Sequence, residues 1–318
     1  MEGLKFAKNP SSYSFNQIVS SGLENSRGAS VEIAITWSPN YALAPELLRA
    51  RPEEVITTIG LRHVSTGSDE LIGPEHTESN GTTVVIEPYL NTMFVRTLQA
   101  FTIFTFEAPA MAAPVQTQPH PTLEPNGANL SAVLDALRDS HPERFEALNI
   151  ELARWLPEFD RILFETPAPG RKTFLVRTTN GHHQYRPSDL SQGVIFAIAF
   201  LTLSYLPNPP AIVCFEEPDR GLHPRLLTDI KDAMYRLAFP RRHGERRPPT
   251  QVIATTHSPY LLDLYKEHPE EVVIAHKDKD GAHFQRLSDK PHISELLDGA
   301  PLGEIWFSGI LGGVPSSL

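Results

Sequence analysis

The chain has 318 residues, 40% hydrophobic and 21% charged, with 28 Lys and Arg against 38 Asp and Glu, a formal charge of −10. This composition is ordinary for a globular protein, and the acidic balance makes a poor default binder of nucleic acid. A single cysteine, Cys214, excludes an intrachain disulfide, no apolar run reaches membrane-spanning length, and Met1 to Pro10 lacks the apolar core of a secretory signal.

The expectation is therefore a soluble, cytoplasmic protein with one large α/β domain or two small ones. In chain order, Val31 to Trp37, Val55 to Val64 and Thr82 to Glu87 alternate apolar and polar residues and predict strands, as does Phe101 to Phe106. Ala108 to Pro125 carries five prolines and predicts a loop. Leu130, Val133, Leu134 and Leu137 share a helical face, with Asn129 or Ser131 as cap. His141-Pro142 breaks that helix, and a second runs from Arg144 to Leu156. Phe159 to Glu165 and Lys172 to Arg177 predict a hairpin around Pro169-Gly170.

A strongly apolar helix follows from Leu190 to Leu206, stopping at Pro207, and then a buried strand, Ala211 to Phe215. Leu222 to Leu237 predicts a helix with Pro224 near its start. Arg241 to Pro249 is a loop whose Arg241, Arg242, Arg246 and Arg247 form a local basic patch. Val252 to Thr255 and Glu271 to Ala275 predict two further buried strands. Strand–helix–strand–helix–strand in this order argues for a parallel sheet with crossover helices.

Three elements carry chemistry. The apolar strand before Glu216-Glu217-Pro218 delivers two carboxylates to a strand end, where ligands of open parallel sheets sit. One carboxylate suits a hard cation such as Mg²⁺, usually through water, and the other an attacking water. Asp189-Leu190-Ser191-Gln192-Gly193 opens the apolar helix with uncrowded N–H groups that attract phosphate oxygens. His257 directly follows a strand, within reach of a γ-phosphate or its water. Taken singly, each has an ordinary structural reading: solvated glutamates, a helix capped by Ser188 or Asp189, a surface histidine. A serine-hydrolase reading of His257 and Ser258 lacks a nucleophile-elbow sequence.

In this order and spacing the three resemble the ATP-binding-cassette ATPase core, in the branch of the SMC, RecF and OLD-like proteins and the AAA_21-type stand-alone ATPases. Leu190-Ser191-Gln192-Gly193 resembles the signature motif, Ala211 to Glu217 the Walker B strand, and His257 the switch histidine. Pro218 to Pro224 resembles the Pro-Glu-x-x-Leu-His-Pro stretch of the stand-alone members. Asn126 to Leu130 resembles their Asp-Gly-x-Asn-Leu segment, and Leu302 to Trp306 with Gly312-Gly313 their C-terminal end. The resemblance covers roughly Phe101 to the C-terminus.

It implies a P-loop NTPase-like α/β core with a parallel sheet, an N-terminal antiparallel β-rich lobe (about 31–107), a loop and helical insert (108–187), a signature, Walker B and switch-histidine core (188–290) and a C-terminal segment (291–318). It implies ATP and Mg²⁺ as ligands, with Glu217 and His257 catalytic and Glu216 at the metal position, through water. Ser191, Gln192 and Gly193 would then meet the ATP of a second subunit in a homodimer. DNA or a protein is the implied partner, in repair, chromosome maintenance or defence, with no membrane involved.

Two departures matter. Glu216 stands where the family usually has Asp, and no Gly-x-x-x-x-Gly-Lys-Ser/Thr occurs anywhere in the sequence. The β-rich segment begins near Val31, so the simplest account is that the first strand, the phosphate loop and part of the first helix are missing. The expectation is feeble or absent ATP hydrolysis by this chain, and an unpaired edge beside the Walker B strand, where the first strand would lie. The alternative is a non-catalytic relic of the ATPase acting as an interaction module. An in-frame phosphate loop encoded upstream of Met1 would favour the ATPase. A nuclease domain of the Toprim kind would not fit in the chain that follows His257.

Overall fold

The computed structural model describes residues 30–37, 55–64, 68–78, 101–278 and 281–312, the first three stretches by their backbone. The chain divides into two compact units, Met1–Phe101 and Thr102–Leu318.

In the first unit β1 (Ser30–Trp37), β2 (Val55–Val64) and β3 (Ser68–Glu78) form an antiparallel sheet in that order. The register shifts between Thr58 and Gly60, a local bulge in the β2–β3 ladder. β3 was not expected from its sequence. Its Pro74 and its charged residues mask the alternation, and proline is tolerated on a strand at the edge of a sheet. The strand expected over Thr82 to Glu87 lies outside the described residues.

The second unit is built around β4 (Phe101–Phe104), β9 (Ile212–Glu216) and β10 (Gln251–Thr255), in the order β10-β9-β4. β9 and β10 are parallel, with Cys214 opposite Ile253 and Glu216 opposite Thr255. Helix α4 (Gln192–Tyr205) is buried without a break from Ile195 to Tyr205, so its sequence is apolar on every side rather than along one stripe. It packs in one core with α2 (Leu130–Ser140), α3 (Pro142–Trp155), α5 (Leu227–Ala238) and the hairpin of β6 (Phe159–Ala168) and β7 (Arg171–Thr178). The short strands β5 (Val115–Gln116) and β8 (Gln184–Tyr185) pair with β7.

A smaller core gathers α6 (Pro259–Asp263), β11 (Val273–Asp278), α7 (Ile293–Gly299) and α8 (Leu302–Phe307) around Leu262, Ile274, Leu287, Leu297 and Leu302.

Several expectations change. The proline-rich segment is not all loop: it holds the short helix α1 (Ala108–Ala112), with a proline in its first turn, and β5. Asn129 precedes α2 without a side-chain cap; its Oδ1 accepts from Glu124 N–H at 2.9 Å and its Nδ2 donates to Thr122 C=O at 2.7 Å, tying the preceding loop to the helix start. Pro224 opens a 3₁₀ turn, Pro224–Leu226, and α5 begins only at Leu227. β11 does not extend the parallel sheet; it forms an antiparallel hairpin with β12 (Gly281–Arg286).

β10 is also less buried than expected, with Gln251, Ala254 and Thr255 exposed and Val252 and Ile253 half-buried. β9 has a strand on each side, so among the described residues the edges of this sheet are β10 and β4, and the Walker B-like strand is not one of them.

Candidate active site

The site forms where β9 and β10 end side by side. Glu216 closes β9 opposite Thr255, and Glu217 N–H donates to Thr255 C=O at 3.0 Å, which carries the pairing one residue past the strand. Glu217 then turns into the left-handed region, with φ of 46°. A non-glycine residue rarely sits there, and such strain collects at functional sites. The turn breaks the alternation of the strand, so two consecutive carboxylates can serve one region of space.

The loops beyond the two strands are tied together. Thr256 Oγ1 donates to Asp219 Oδ1 at 2.6 Å and accepts from Ser258 N–H at 2.9 Å. Thr256 thus anchors the turn that carries Glu217 to the loop that carries His257. His257 is exposed, and its ring lies 6.5 Å from that of Trp306 at 34°. Trp306 reaches it because α8 presses closely on α6: a Cβ on Gly303 would stand 2.4 Å from the Pro259 carbonyl oxygen. Gly303 N–H donates to Asp263 Oδ1 at 2.7 Å across the same contact.

Ser191 is itself the N-cap of α4, its Oγ accepting from Val194 N–H at 3.4 Å, in place of the expected Ser188 or Asp189. The helix start packs against the loop after Glu217. A Cβ on Gly193 would stand 3.1 Å from Gly221 C=O, and one on Gly221, whose φ is 74°, would stand 2.9 Å from Gln192 Nε2. Glycine at both positions permits this approach. The structure therefore brings Ser191, Gln192 and Gly193 to the same loop system as Glu216 and Glu217.

Between the ends of β4 and β9 and the start of α4 lies a cavity of about 390 Å³. Phe104, Phe106, Phe196, Phe200 and Phe215 line its inner part, and Glu107, Glu216, Glu217 and Arg220 are among its polar lining. The rings pack against one another at centroid distances from 4.9 Å for Phe200–Phe215 to 6.4 Å for Phe106–Phe215, so the apolar part of the lining is a cluster of aromatic contacts. Thr105 Oγ1 donates to Glu216 Oε2 at 3.2 Å. Carboxylate and hydroxyl oxygens form a hard donor set that fits Mg²⁺, with Glu216 the ligand nearest the hydroxyl. Three carboxylates and one guanidinium among the lining leave it acidic, so a bare triphosphate needs a counter-cation to approach.

Sequence reasoning gave no role at the site to Thr105, Thr256 or Trp306. Thr105 and Glu216 are separated by 111 positions, and no local pattern marks such a meeting.

A family profile described as "AAA domain, putative AbiEii toxin, Type IV TA system" matches residues 73–263, more than half of the chain. No curated protein matches significantly. Among solved structures, one described under "Structural biochemistry of ATP-driven dimerization and DNA stimulated activation of SMC ATPases" has a TM-score of 0.34 at 13% identity, over 52% of this chain and 96% of its own. No helix among the described residues is long and apolar enough to cross a membrane. With more than half of its length matched by the profile, the chain belongs to this family of AAA-type, nucleotide-binding ATPase domains.

Proposed function

We propose that the site hydrolyses ATP to drive a conformational or dimerisation switch. The observation that carries this reading is the strained turn at Glu217, held to Thr255 and standing beside the His257 loop. In it, Glu217 orients and deprotonates the attacking water, and His257 contacts the γ-phosphate. Glu216, with Thr105 beside it, would hold Mg²⁺, which would supply charge neutralisation at the phosphates. The N–H groups of Gln192 and Gly193 and the Ser191 hydroxyl face the γ-phosphate of ATP bound on a second copy.

The acidic lining argues that these residues do not hold ATP tightly unaided. A phosphate loop would supply the cationic half, and the edge of β10, open among the described residues, is a place for its strand. A second reading, an interaction module without turnover, is favoured by the absence of a phosphate-loop sequence from these 318 residues.

Steady-state phosphate release separates the two. The expected result is feeble release by this chain, and robust release once an upstream segment encoding a phosphate loop is joined to it, abolished by Glu217→Gln. Robust release that survives Glu217→Gln would overturn the assignment of the base. No release with the loop in place would favour the interaction module.

A further inference from the structure

The C-terminal stretch Leu302-Gly303-Glu304-Ile305-Trp306 has no part in the chemistry described so far, and it folds as α8. Leu302 and Ile305 are buried in the smaller core, and Trp306 packs against that core while staying half-buried. Gly303 and Trp306 are three positions apart, so they share a face of the helix. Gly303 sets that face on α6: its missing Cβ leaves room for the Pro259 backbone, and its N–H donates to Asp263. Trp306, one turn further along, therefore reaches the segment that leads into α6, where His257 lies.

The backbone on either side of His257 is fixed. Thr256 is bonded to Asp219 and to Ser258 N–H, and Ser258 Oγ caps α6 by accepting from Leu261 N–H at 3.3 Å. The imidazole is not fixed in this way. It is exposed, and among the described residues no hydrogen bond or ion pair holds it; its ring contact is with Trp306, at 6.5 Å and 34°. A free side chain samples several staggered rotamers, and ordering it costs entropy unless a neighbour has ordered it beforehand. Rings at this separation still attract one another. The indole is itself held by the smaller core, so it is a fixed surface for the imidazole.

We propose that Trp306 is the positioning residue of His257: the indole confines the imidazole to the rotamer that meets the γ-phosphate, and so ties the smaller core to the site. The γ-phosphate contact rests on the ATP hydrolysis proposed above, whereas the confinement of the ring rests on packing alone.

Histidine Cε1–H NMR of the purified chain, without nucleotide and at a pH where imidazole is neutral, tests the confinement. His257→Gln identifies the His257 signal by its loss. In the parent chain the indole ring current should displace that signal from the position of a freely rotating, exposed histidine. Trp306→Leu should return it there, and Trp306→Phe should keep part of the displacement. A signal unmoved by Trp306→Leu would overturn the proposal. If circular dichroism shows Trp306→Leu misfolded, the reciprocal measurement takes its place. The Trp306 indole signals, assigned with Trp306→Phe, should shift in His257→Gln, a change at an exposed side chain, and unmoved indole signals would overturn the proposal. The role at the site is read from phosphate release by the chain joined to a phosphate loop. There Trp306→Leu should lower release ~10- to 100-fold and should lower it no further in a His257→Gln background. An equal loss in both backgrounds would make Trp306 a structural residue and overturn the proposal. A displaced His257 signal with no release from the loop-joined chain would count against ATP hydrolysis and leave the confinement of the ring intact.

Discussion

The left-handed backbone of Glu217 makes a measurable prediction about stability. Its φ of 46° places a side chain where only glycine sits without strain, and its side chain is exposed. Removing the carboxylate therefore alters folding little, whereas removing Cβ relieves the backbone. The left-handed penalty for a non-glycine residue is ~1–2 kcal/mol. Glycine returns ~0.4–1 kcal/mol of this through the extra freedom of its unfolded chain. Glu217→Gly should then be more stable than Glu217→Ala by about 0.5–1 kcal/mol. Urea denaturation followed by circular dichroism measures that difference directly, and in a domain of this size it shifts the melting temperature by ~1–4 °C. Both variants lack the carboxylate, so neither should support ATP turnover under any condition that activates the parent chain. A glycine variant no more stable than the alanine variant would refute the strain argument, and with it the observation on which the functional reading leans most.

Other consequences follow from the same packing. Burial pushes the Cys214 thiol up to about 11, so a thiol reagent at pH 8 should label the folded chain slowly and react fully only in denaturant; rapid labelling of folded protein would contradict the burial of β9. Gly303→Ala drives a Cβ into the Pro259 backbone and should cost ~1–3 kcal/mol, with a red shift in Trp306 emission as α8 leaves α6; a native melt and spectrum would refute the contact. Glu245→Gln leaves Arg247 buried beside two other arginines and should cost ~3–5 kcal/mol in urea denaturation, while a loss below ~1 kcal/mol would show the cluster to be dispensable.

Burial raises the Glu151 carboxyl, but hydrogen bonds from Arg154 and Trp155 and the charges of Arg154 and Arg236 outweigh it, so the group titrates below its ordinary 4.5. A carboxyl lowered by folding stabilises the protein above its unfolded value and loses that contribution as pH falls through its folded value. Stability should therefore drop from pH 6 to pH 3.5 more steeply in the parent chain than in Glu151→Gln; parallel curves would refute the assignment.

The elements that carry the chemistry were legible because their signals are local. An unbroken apolar run marks a buried strand or helix, and Ile195 to Leu201 and Val213 to Phe215 are such runs. The polar residues at their ends, Ser191, Glu216 and Glu217, stand at element ends for the same reason, and His257 lies beyond β10. The hairpin of β6 and β7 was equally plain, since Pro169-Gly170 separates two alternating stretches.

Tertiary structure decided what depends on distant partners. β3 exists because β2 offers it a ladder, not because its own residues prefer a strand. That β9 lies between β4 and β10, leaving β10 at the edge, is a choice among pairings that periodicity does not encode. β11 has the apolar pattern of a sheet strand but finds its hydrogen bonds in β12, nearby in sequence. At the site, residue types and chain order suggested which groups to look for. The meeting of Thr105 with Glu216, the Thr256–Asp219 bond and the left-handed turn at Glu217 arise only when strand ends from different parts of the chain are set side by side. Sequence periodicity records which face of an element is buried, whereas these contacts depend on which element covers that face.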